Sequence, residues 1–273
     1  MNLKSASLLA LVLALPPLAH AANFEWTFND GTLGDFFGSG TMTPSGLTQS
    51  NIVFTGGGIV PDIEGATARV LHVPVFTSMA DGFQLGLNAT GPNGGGSYLN
   101  NYTFIFDIYS PGAAGWQALF QTDPSNSPGN DADWYIAPDS SLGIGDIGYT
   151  AAGAVTQDAW HRITFAASLG SEVKYYIDGT LAGTFGGNTL DGRFALYSNQ
   201  IGGDVRLFNE GDTSGNYTHE MFVNSIAFVD SQLSDEEIAA LGAPKAAGIL
   251  VPEPAAGAFL LLGLAGLAAR RRR

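Results

Sequence analysis

One segment of the chain concentrates oxygen-bearing side chains of the kind that bind Ca²⁺. Between residues 123 and 133, five of eleven residues are Asp or Asn, and two prolines and a glycine lie among them. Ca²⁺ takes about six to eight oxygen ligands. We predict a calcium site whose ligands are Asp123, Asn126, Asp131 and Asp133. The alternative is a set of turn formers, since Asp, Asn, Pro and Gly also dominate loops for backbone reasons.

Aromatic side chains lie within or beside the same polar segments. Trp134 and Tyr135 follow the Asp/Asn-rich segment, and Tyr217 stands among Gly, Asn and Thr. An aromatic face next to ordered oxygens can stack on a sugar ring and direct hydrogen bonds to its hydroxyls. We predict that Trp134, Tyr135 and Tyr217 bind carbohydrate. Core packing is the competing interpretation, and we prefer it for Trp116 and Trp160, which fall in predicted strands.

Motifs for catalysis are missing from the sequence. The histidines that follow the N-terminal leader are widely spaced and form no H-E-x-x-H zinc motif; they are His72, His161 and His219. We interpret His161 as a structural residue. The sequence holds no G-x-S-x-G elbow and no phosphate loop ending in Gly-Lys-Ser/Thr. We therefore predict that the protein is not an enzyme.

Charge and cysteine content limit the partners further. Residues 22–244 contain five basic and 24 acidic residues, hence a formal charge of −19. Such a surface repels nucleic acid and anionic lipid and attracts divalent cations, so we expect no nucleic-acid partner. The chain has no cysteine, which removes disulfides and thiolate chemistry.

Both ends of the chain have the composition of targeting segments. Residues 1–21 contain a lysine, an apolar stretch and an A-x-A site at Ala19–Ala21, which predicts a signal peptide. At the other end an apolar run, residues 255–269, is roughly 22 Å long as a helix at about 1.5 Å per residue, short of the ~30 Å hydrocarbon core. We predict a transmembrane sorting helix that is held in the inner membrane only transiently.

The motif around this run resembles the PEP-CTERM sorting signal. The preceding tetrapeptide is Val251, Pro252, Glu253 and Pro254. The basic tail is Arg270, Arg271, Arg272 and Arg273, on the cytoplasmic side by the positive-inside bias. The resemblance implies an exosortase-type processing enzyme as a partner, and delivery to the cell surface or extracellular matrix of a Gram-negative bacterium. Residues 251–273 would form the sorting signal and residues 245–250 a linker.

Between the targeting segments the periodicity is that of strands. Residues 102–109 alternate apolar side chains on one face, and residues 161–167 do the same. Asp178-Gly179 suits a type I′ hairpin turn between the strands that flank it. Ser234 and Glu237 form a capping box for one short C-terminal helix. We predict an all-β fold that one helix closes.

The order of these motifs resembles LamG-like members of the concanavalin A-like jelly-roll superfamily. The likeness rests on Asp158-Ala-Trp-His-Arg162, on Lys174-Tyr-Tyr-Ile-Asp178-Gly179 and on the segment from Val223 to the capped helix. The likeness covers residues 102–244 and implies a jelly-roll sandwich, in which we include residues 22–101 because the fold needs further strands. It also raises the expectation of calcium at the rim. Laminarinase-type hydrolases of this architecture carry an E-x-D-x-x-E strand, which this chain lacks.

Together these observations predict an exported, non-catalytic surface or matrix protein that binds extracellular polysaccharide or mediates adhesion. Two alternatives stay open at this point. One is a glycoside hydrolase-like enzyme with an unrecognised site, and the other is a purely structural biofilm component.

Overall fold

The structure is a computed structural model of the chain. It describes residues 23–36, 38, 40–48, 52–87, 92–112, 115–122, 132–145, 147–186, 189–196, 205–210 and 217–249. The signal peptide and the sorting signal predicted from the sequence lie outside these ranges. Within the described residues, no helix is long and apolar enough to cross a membrane.

The strands of the described residues, numbered in chain order, form two antiparallel sheets. The eight-stranded sheet consists of β1 (Asn23–Thr27), β3 (Val53–Thr55), β4 (Val70–Val73), β6 (Asn101–Tyr109), β11 (Trp160–Ser168), β12 (Glu172–Ile177), β13 (Thr180–Gly186) and β15 (Met221–Val229). Its order is β13-β12-β11-β6-β15-β4-β3. Strand β1 pairs with the second half of β15, next to β4 on the first half.

The seven-stranded sheet consists of β2 (Thr41–Ser45), β5 (Gly82–Gly86), β7 (Gln117–Gln121), β8 (Asp133–Ile136), β9 (Leu142–Ile144), β10 (Gly148–Tyr149) and β14 (Val205–Leu207). Its order is β10-β9-β8-β7-β14-β5-β2. The predicted all-β fold of two sheets is confirmed. Outside the named strands, Leu196 forms an isolated antiparallel bridge with Leu99.

The core lies between the two sheets, as the alternation on β6 requires. Tyr102, Phe104 and Phe106 point inward, where Phe104 stacks on Phe120 of the opposite sheet at a ring distance of 5.0 Å. Ile105 points outward and joins a second cluster, which the C-terminal helix covers. Both faces of this strand are therefore buried.

The hairpin and the capped helix form as the sequence predicts. Asp178 and Gly179 have φ of 53° and 77°, the left-handed values that a type I′ turn needs, between β12 and β13. Helix α1 (Asp235–Leu241) begins with the capping box of Ser234 and Glu237. Ile238 of this helix packs on the outer face of the eight-stranded sheet.

Residues 243–249, here termed the C-terminal strap, also pack on that outer face. Ile249 is buried in the cluster beneath α1, and its amide donates to Oε1 of Glu25 at 2.5 Å. The carbonyl of Ala246 accepts from Asn29 Nδ2 at 2.9 Å. The sequence predicted a linker over residues 245–250, but residues 245–249 are part of the packed body.

Candidate functional site

The outer face of the seven-stranded sheet carries the residues with functional potential. On β8, Trp134 and Ile136 point into the core, so that Asp133 and Tyr135 point to the opposite face. In the register of the sheet, Tyr135 stands opposite Gly143 on β9, and Gly143 stands opposite Tyr149 on β10. Tyr135 and Tyr149 are therefore on one face.

Trp134 is not an exposed sugar-stacking residue, and that prediction is wrong. Its side chain is 0% exposed and lies among core aromatics, with ring distances of 5.0 Å to Phe165 and 5.5 Å to Phe120. The physical reason is strand formation, since Ala132, Trp134 and Ile136 alternate toward the core. That alternation was visible in the sequence, although the polar segment before it favoured a loop interpretation.

Trp116 was predicted as core but is 37% exposed, and a β-bulge accounts for the difference. Strand β7 pairs with β8 through Ala118–Tyr135 and Phe120–Trp134, with a register shift between them at Leu119. One extra residue reverses the alternation, so that Phe120 points into the core while Ala118 and Trp116 fall on the face of Tyr135. Simple period-two counting would place Trp116 and Phe120 on the same side.

Four aromatic residues converge here, and we call them the aromatic patch. Its members are Trp116, Tyr135, Tyr149 and Tyr217. The indole of Trp116 lies 5.6 Å from Tyr135, 6.5 Å from Tyr149 and 5.5 Å from Tyr217, at interplanar angles of 81°, 65° and 84°. Such edge-to-face contacts hold the indole in a fixed orientation. Tyr149 and Tyr217 are half-buried, whereas Tyr135 is nearly covered.

Tyr217 is fixed by the backbone as well as by ring contacts. Its carbonyl accepts a hydrogen bond from the amide of Ala118 at 2.9 Å, which holds it beside β7. Of the three predicted sugar-binding residues, Tyr135 and Tyr217 are thus brought together, and Trp134 is not. Trp116 and Tyr149 complete the group, and neither was predicted from the sequence as a site residue.

Two buried carboxylates adjoin the patch. The hydroxyl of Tyr135 donates to Oε2 of Glu210, and Asp133 precedes Tyr135 by two residues on the chain and lies near its hydroxyl. Both acids are nearly inaccessible, at 8% for Asp133 and 2% for Glu210. Burial, followed by the negative charge of Asp133 and the hydrogen bond to Glu210, holds the pKa of the Tyr135 hydroxyl far above its ordinary value. Tyr135 is therefore a neutral hydrogen-bond donor.

Most of the predicted calcium ligands fall outside the described residues. Asp123, Asn126 and Asp131 do, and Asp133 is the one whose surroundings are described. Among the residues that the structure describes, no group of three or more His, Cys, Asp or Glu side chains is arranged to hold a metal ion. The calcium site stays a prediction.

Hydrogen bonds join the start of β11 to the turn at Asp178. Asp178 accepts from the amide of Arg162 and from Nδ1 of His161, both at 2.8 Å, and Nε2 of His161 pairs with the hydroxyl of Thr156 at 2.8 Å. These bonds join the hairpin turn to the start of β11. Trp160, predicted as core, is half-buried and donates its indole N–H to the carbonyl of Pro61.

No protein-family model matches the chain, and no curated protein sequence matches it. Solved structures do resemble it. Domain 4 of AbnA, a GH43 extracellular arabinanase from Geobacillus stearothermophilus in complex with arabinotriose, has a TM-score of 0.50 and 16% identity over 80% of this chain and 97% of that one. The binding domain of Paraclostridial Mosquitocidal Protein 1 has a TM-score of 0.54 and 10% identity over 80% of this chain. This chain spans 51% of the length of the mosquitocidal domain. At these identities the likeness shows the fold.

Proposed function

We propose that the protein is an exported, non-catalytic β-sandwich that binds extracellular polysaccharide at the aromatic patch. The observation that carries the proposal is the placement of Trp116. It is a large exposed aromatic residue, and three tyrosines hold its orientation beside the polar atoms of Tyr135 and Glu210. A rigid ring next to directed polar groups is the usual composition of a sugar-binding surface.

The fold supports this proposal. The structural similarity to domain 4 of the arabinanase covers 97% of that domain and 80% of this chain, and the domain was solved in complex with arabinotriose. Because a fold hosts many functions, the argument rests on the patch and takes the neighbour as support. We further propose that the fold is the LamG-like, concanavalin A-like jelly roll that the sequence motifs predict.

Binding of soluble polysaccharides to the full-length chain tests the proposal. A shallow patch buries little apolar area, and association entropy offsets much of the gain, so we expect dissociation constants of roughly 10 µM to 1 mM. Trp116→Ala should weaken binding by about tenfold or more. Phe36→Ala is the matched control, because Phe36 is also an exposed aromatic but lies beside β1 of the other sheet. An equal loss of glycan affinity in both variants, or no binding of the parent chain to any glycan, would favour a purely structural biofilm component.

We propose that the chain is exported and sorted as a PEP-CTERM protein and processed by an exosortase-type enzyme. The support is the sequence: the tetrapeptide at 251–254, the apolar run and the terminal arginines. Mass spectrometry of the surface fraction should then find no peptide that reaches Ala269. Recovery of intact chains that end in Arg273 from that fraction would contradict the idea. Many copies on one surface would convert weak binding into avidity.

Calcium is also part of the proposal. Asp133 is the last residue of the Asp/Asn-rich segment, and its carboxylate and that of Glu210 both lie near the hydroxyl of Tyr135, where such hard oxygens suit Ca²⁺. Asp123, Asn126 and Asp131 would complete the ligands. Ca²⁺ at about 100 times its Kd should stabilise the fold by about 2.7 kcal/mol. Thermal melts with EDTA and with Ca²⁺ measure this shift, and coincident curves would favour the turn-former interpretation.

The hydrolase alternative is favoured by one observation, the two buried carboxylates of Asp133 and Glu210 beneath the patch that carries the exposed Trp116. Glycosidases use a pair of carboxyl groups on either side of the scissile bond. Release of reducing sugar from any polymer that the chain binds would support this alternative if Glu210→Gln abolished it while Trp116-dependent binding persisted.

A further inference from the structure

We infer that Thr156 is a nucleophile that accepts an acyl group from activated carboxylic esters. Its hydroxyl belongs to a line of three hydrogen-bonded side chains, in which His161 is the base and Asp178 is the residue that positions His161. A hydroxyl, a base and a group that orients the base form the arrangement that activates a nucleophile. The site lies at the start of β11, and the inference does not depend on carbohydrate binding at the aromatic patch.

The hydrogen bonds determine which nitrogen of His161 carries the proton. An ionised carboxylate only accepts, so Oδ2 of Asp178, which lies 2.8 Å from Nδ1 of His161, requires the proton on Nδ1. In the neutral imidazole Nε2 then has a free lone pair, and the hydroxyl of Thr156 donates to it at 2.8 Å. The proton that must leave Oγ1 therefore already points at a nitrogen that can take it.

Asp178 holds the imidazole because its own position is fixed. Its other oxygen, Oδ1, accepts from the amide of Arg162 at 2.8 Å. Its φ of 53° places it in the type I′ turn with Gly179. The side chains of His161 and Asp178 are 13% and 33% exposed, so the bond between them is partly shielded from water. The orientation of the imidazole thus follows from the sheet and its turn.

The segment that carries Thr156 is held on both sides. The amide of Val155 donates to the carbonyl of Ser140 at 2.9 Å. The amide of Asp158 donates to the carbonyl of Ser110, also at 2.9 Å. Val155 is buried in the core, whereas Thr156 is exposed. An ester in solution can therefore reach a hydroxyl whose backbone is fixed, which favours a constant geometry of attack.

Two other exposed threonines show what is particular to Thr156. The hydroxyl of Thr32 donates to the carboxylate of Asp30 at 2.9 Å. The hydroxyl of Thr67 donates to that of Asp62, also at 2.9 Å. A carboxylate is a much weaker base than a neutral imidazole, so these bonds orient the hydroxyl without activating it. Thr32 and Thr67 are therefore controls within the same chain.

The proposed step exchanges one ester for another. The hydroxyl proton of Thr156 passes to Nε2 of His161 as Oγ1 attacks the carbonyl carbon of the ester. The bond between that carbon and the leaving oxygen then breaks, and the proton on Nε2 passes to the leaving oxygen. The products are an acylated Thr156 and a free alcohol or phenol, and His161 is neutral again. Because Thr156 is exposed, we expect it to react with small acyl groups on good leaving groups.

The test measures acetyl transfer to individual threonines. The full-length chain, in mild detergent at about pH 8, where an ordinary imidazole is mostly neutral, is treated with p-nitrophenyl acetate. Peptide mass mapping locates the acetyl groups, and hydroxylamine distinguishes threonine esters from acetylated lysines, because it cleaves esters and leaves amides intact. We expect acetylation of Thr156 to be at least about 100-fold faster than that of Thr32 or Thr67. Equal rates at the three threonines would overturn the inference.

The variant Asp178→Asn separates the positioning of the base from folding. Asn suits the positive φ of the turn and keeps an oxygen that accepts from the Arg162 amide. Its side-chain nitrogen donates to Nδ1 of His161, which moves the imidazole proton to Nε2 and removes the lone pair that Thr156 needs. Acetylation of Thr156 should fall at least about 100-fold at an unchanged melting temperature. Acetylation at the parental rate in the folded variant would contradict the role given to His161.

A second variant makes the same test if Asp178→Asn does not fold. His161→Gln replaces the imidazole with a side chain that has no basic nitrogen, so acetylation of Thr156 should fall to the rate of Thr32 and Thr67. Preferential acetylation of Thr156 that persists in this variant would show that the imidazole does not act as the base.

Discussion

Arg162 and Asp107 form a bidentate ion pair, with Nε donating to Oδ1 and Nη2 to Oδ2, each at 2.7 Å. Neither side chain is more than 1% exposed. The pair lies on the outward face of the eight-stranded sheet, where Nη1 of Arg162 also donates to the carbonyl of Leu241 at 2.6 Å, and Nη2 reaches that of Gly248 at 3.3 Å. One guanidinium thus joins two central strands to the end of α1 and to the C-terminal strap.

Removal of one partner of this pair should be strongly destabilising. Asp107→Ala leaves the Arg162 charge buried without its counter-ion, so we expect a loss of about 3–5 kcal/mol in the free energy of unfolding. Lys174→Ala is the control, because Lys174 and Asp235 form a partly exposed ion pair that should contribute no more than about 1 kcal/mol. Urea titration measures both. Similar losses in the two variants would contradict the role given to Arg162.

The two tryptophans Trp116 and Trp134 should respond in opposite ways to truncation. Trp134→Ala removes a fully buried ring from the core and should cost about 3–5 kcal/mol of stability. Trp116→Ala removes a ring at the surface and should lower glycan affinity while stability falls by no more than about 1 kcal/mol. Thermal melts and glycan titration on the same preparations distinguish the two. A large loss of stability in Trp116→Ala would indicate that its role is structural.

Gly143 is required where β9 meets β10 beneath the patch. Its φ is 149°, and an added Cβ would lie 2.1 Å from the carbonyl oxygen of Gly148 and 2.9 Å from Cα of Tyr149. Gly143→Ala should therefore cost about 2–3 kcal/mol, displace Tyr149 and weaken glycan binding. Gly145→Ala serves as control, since a Cβ there meets nothing within 4 Å. Urea titration and binding data for the pair test this, and a neutral Gly143→Ala would refute the steric argument.

Asp191 should make the fold sensitive to acid. Its carboxylate accepts from Asn100 Nδ2 at 3.0 Å and from the amides of Ser97 and Tyr98, and these bonds lower its pKa. A lowered folded-state pKa stabilises the fold above the unfolded value of about 3.9, and this contribution is lost as pH falls through the folded pKa.

The variant Asp191→Asn should therefore show a smaller decline in stability between about pH 5 and pH 2 than the parent chain does. Asp62→Asn is the control, because it removes the charge of an exposed carboxylate while the amide oxygen can still accept from Thr67, and it should keep the parental decline. Urea midpoints across this pH range provide the measurement. Parallel curves for Asp191→Asn and the parent would show that Asp191 does not contribute.

Local signals in the sequence predicted the local elements well. The helix cap at Ser234 and the turn at Asp178 are encoded within a few residues, and both formed as predicted. The long-range pairing of β1 with β15 joins Asn23 to Val229, which no local pattern reveals. The site was harder to predict from the sequence, because a single bulge at Leu119 determines on which face of the sheet Trp116 lies. Such a bulge follows from pairing with β8 and leaves no mark in the periodicity of β7.

The position of Ile249 limits how the β-sandwich can be oriented if the chain is anchored at its C-terminal end. The described chain ends there, packed on the outer face of the eight-stranded sheet, whereas Trp116 lies on the outer face of the seven-stranded sheet. Two sheets about 10 Å apart stand between Ile249 and the aromatic patch. If the protein were anchored through its C-terminal end and Ile249 lay close to the anchoring surface, Trp116 would point away from that surface. Close neighbours in an array would then leave one another's aromatic faces uncovered.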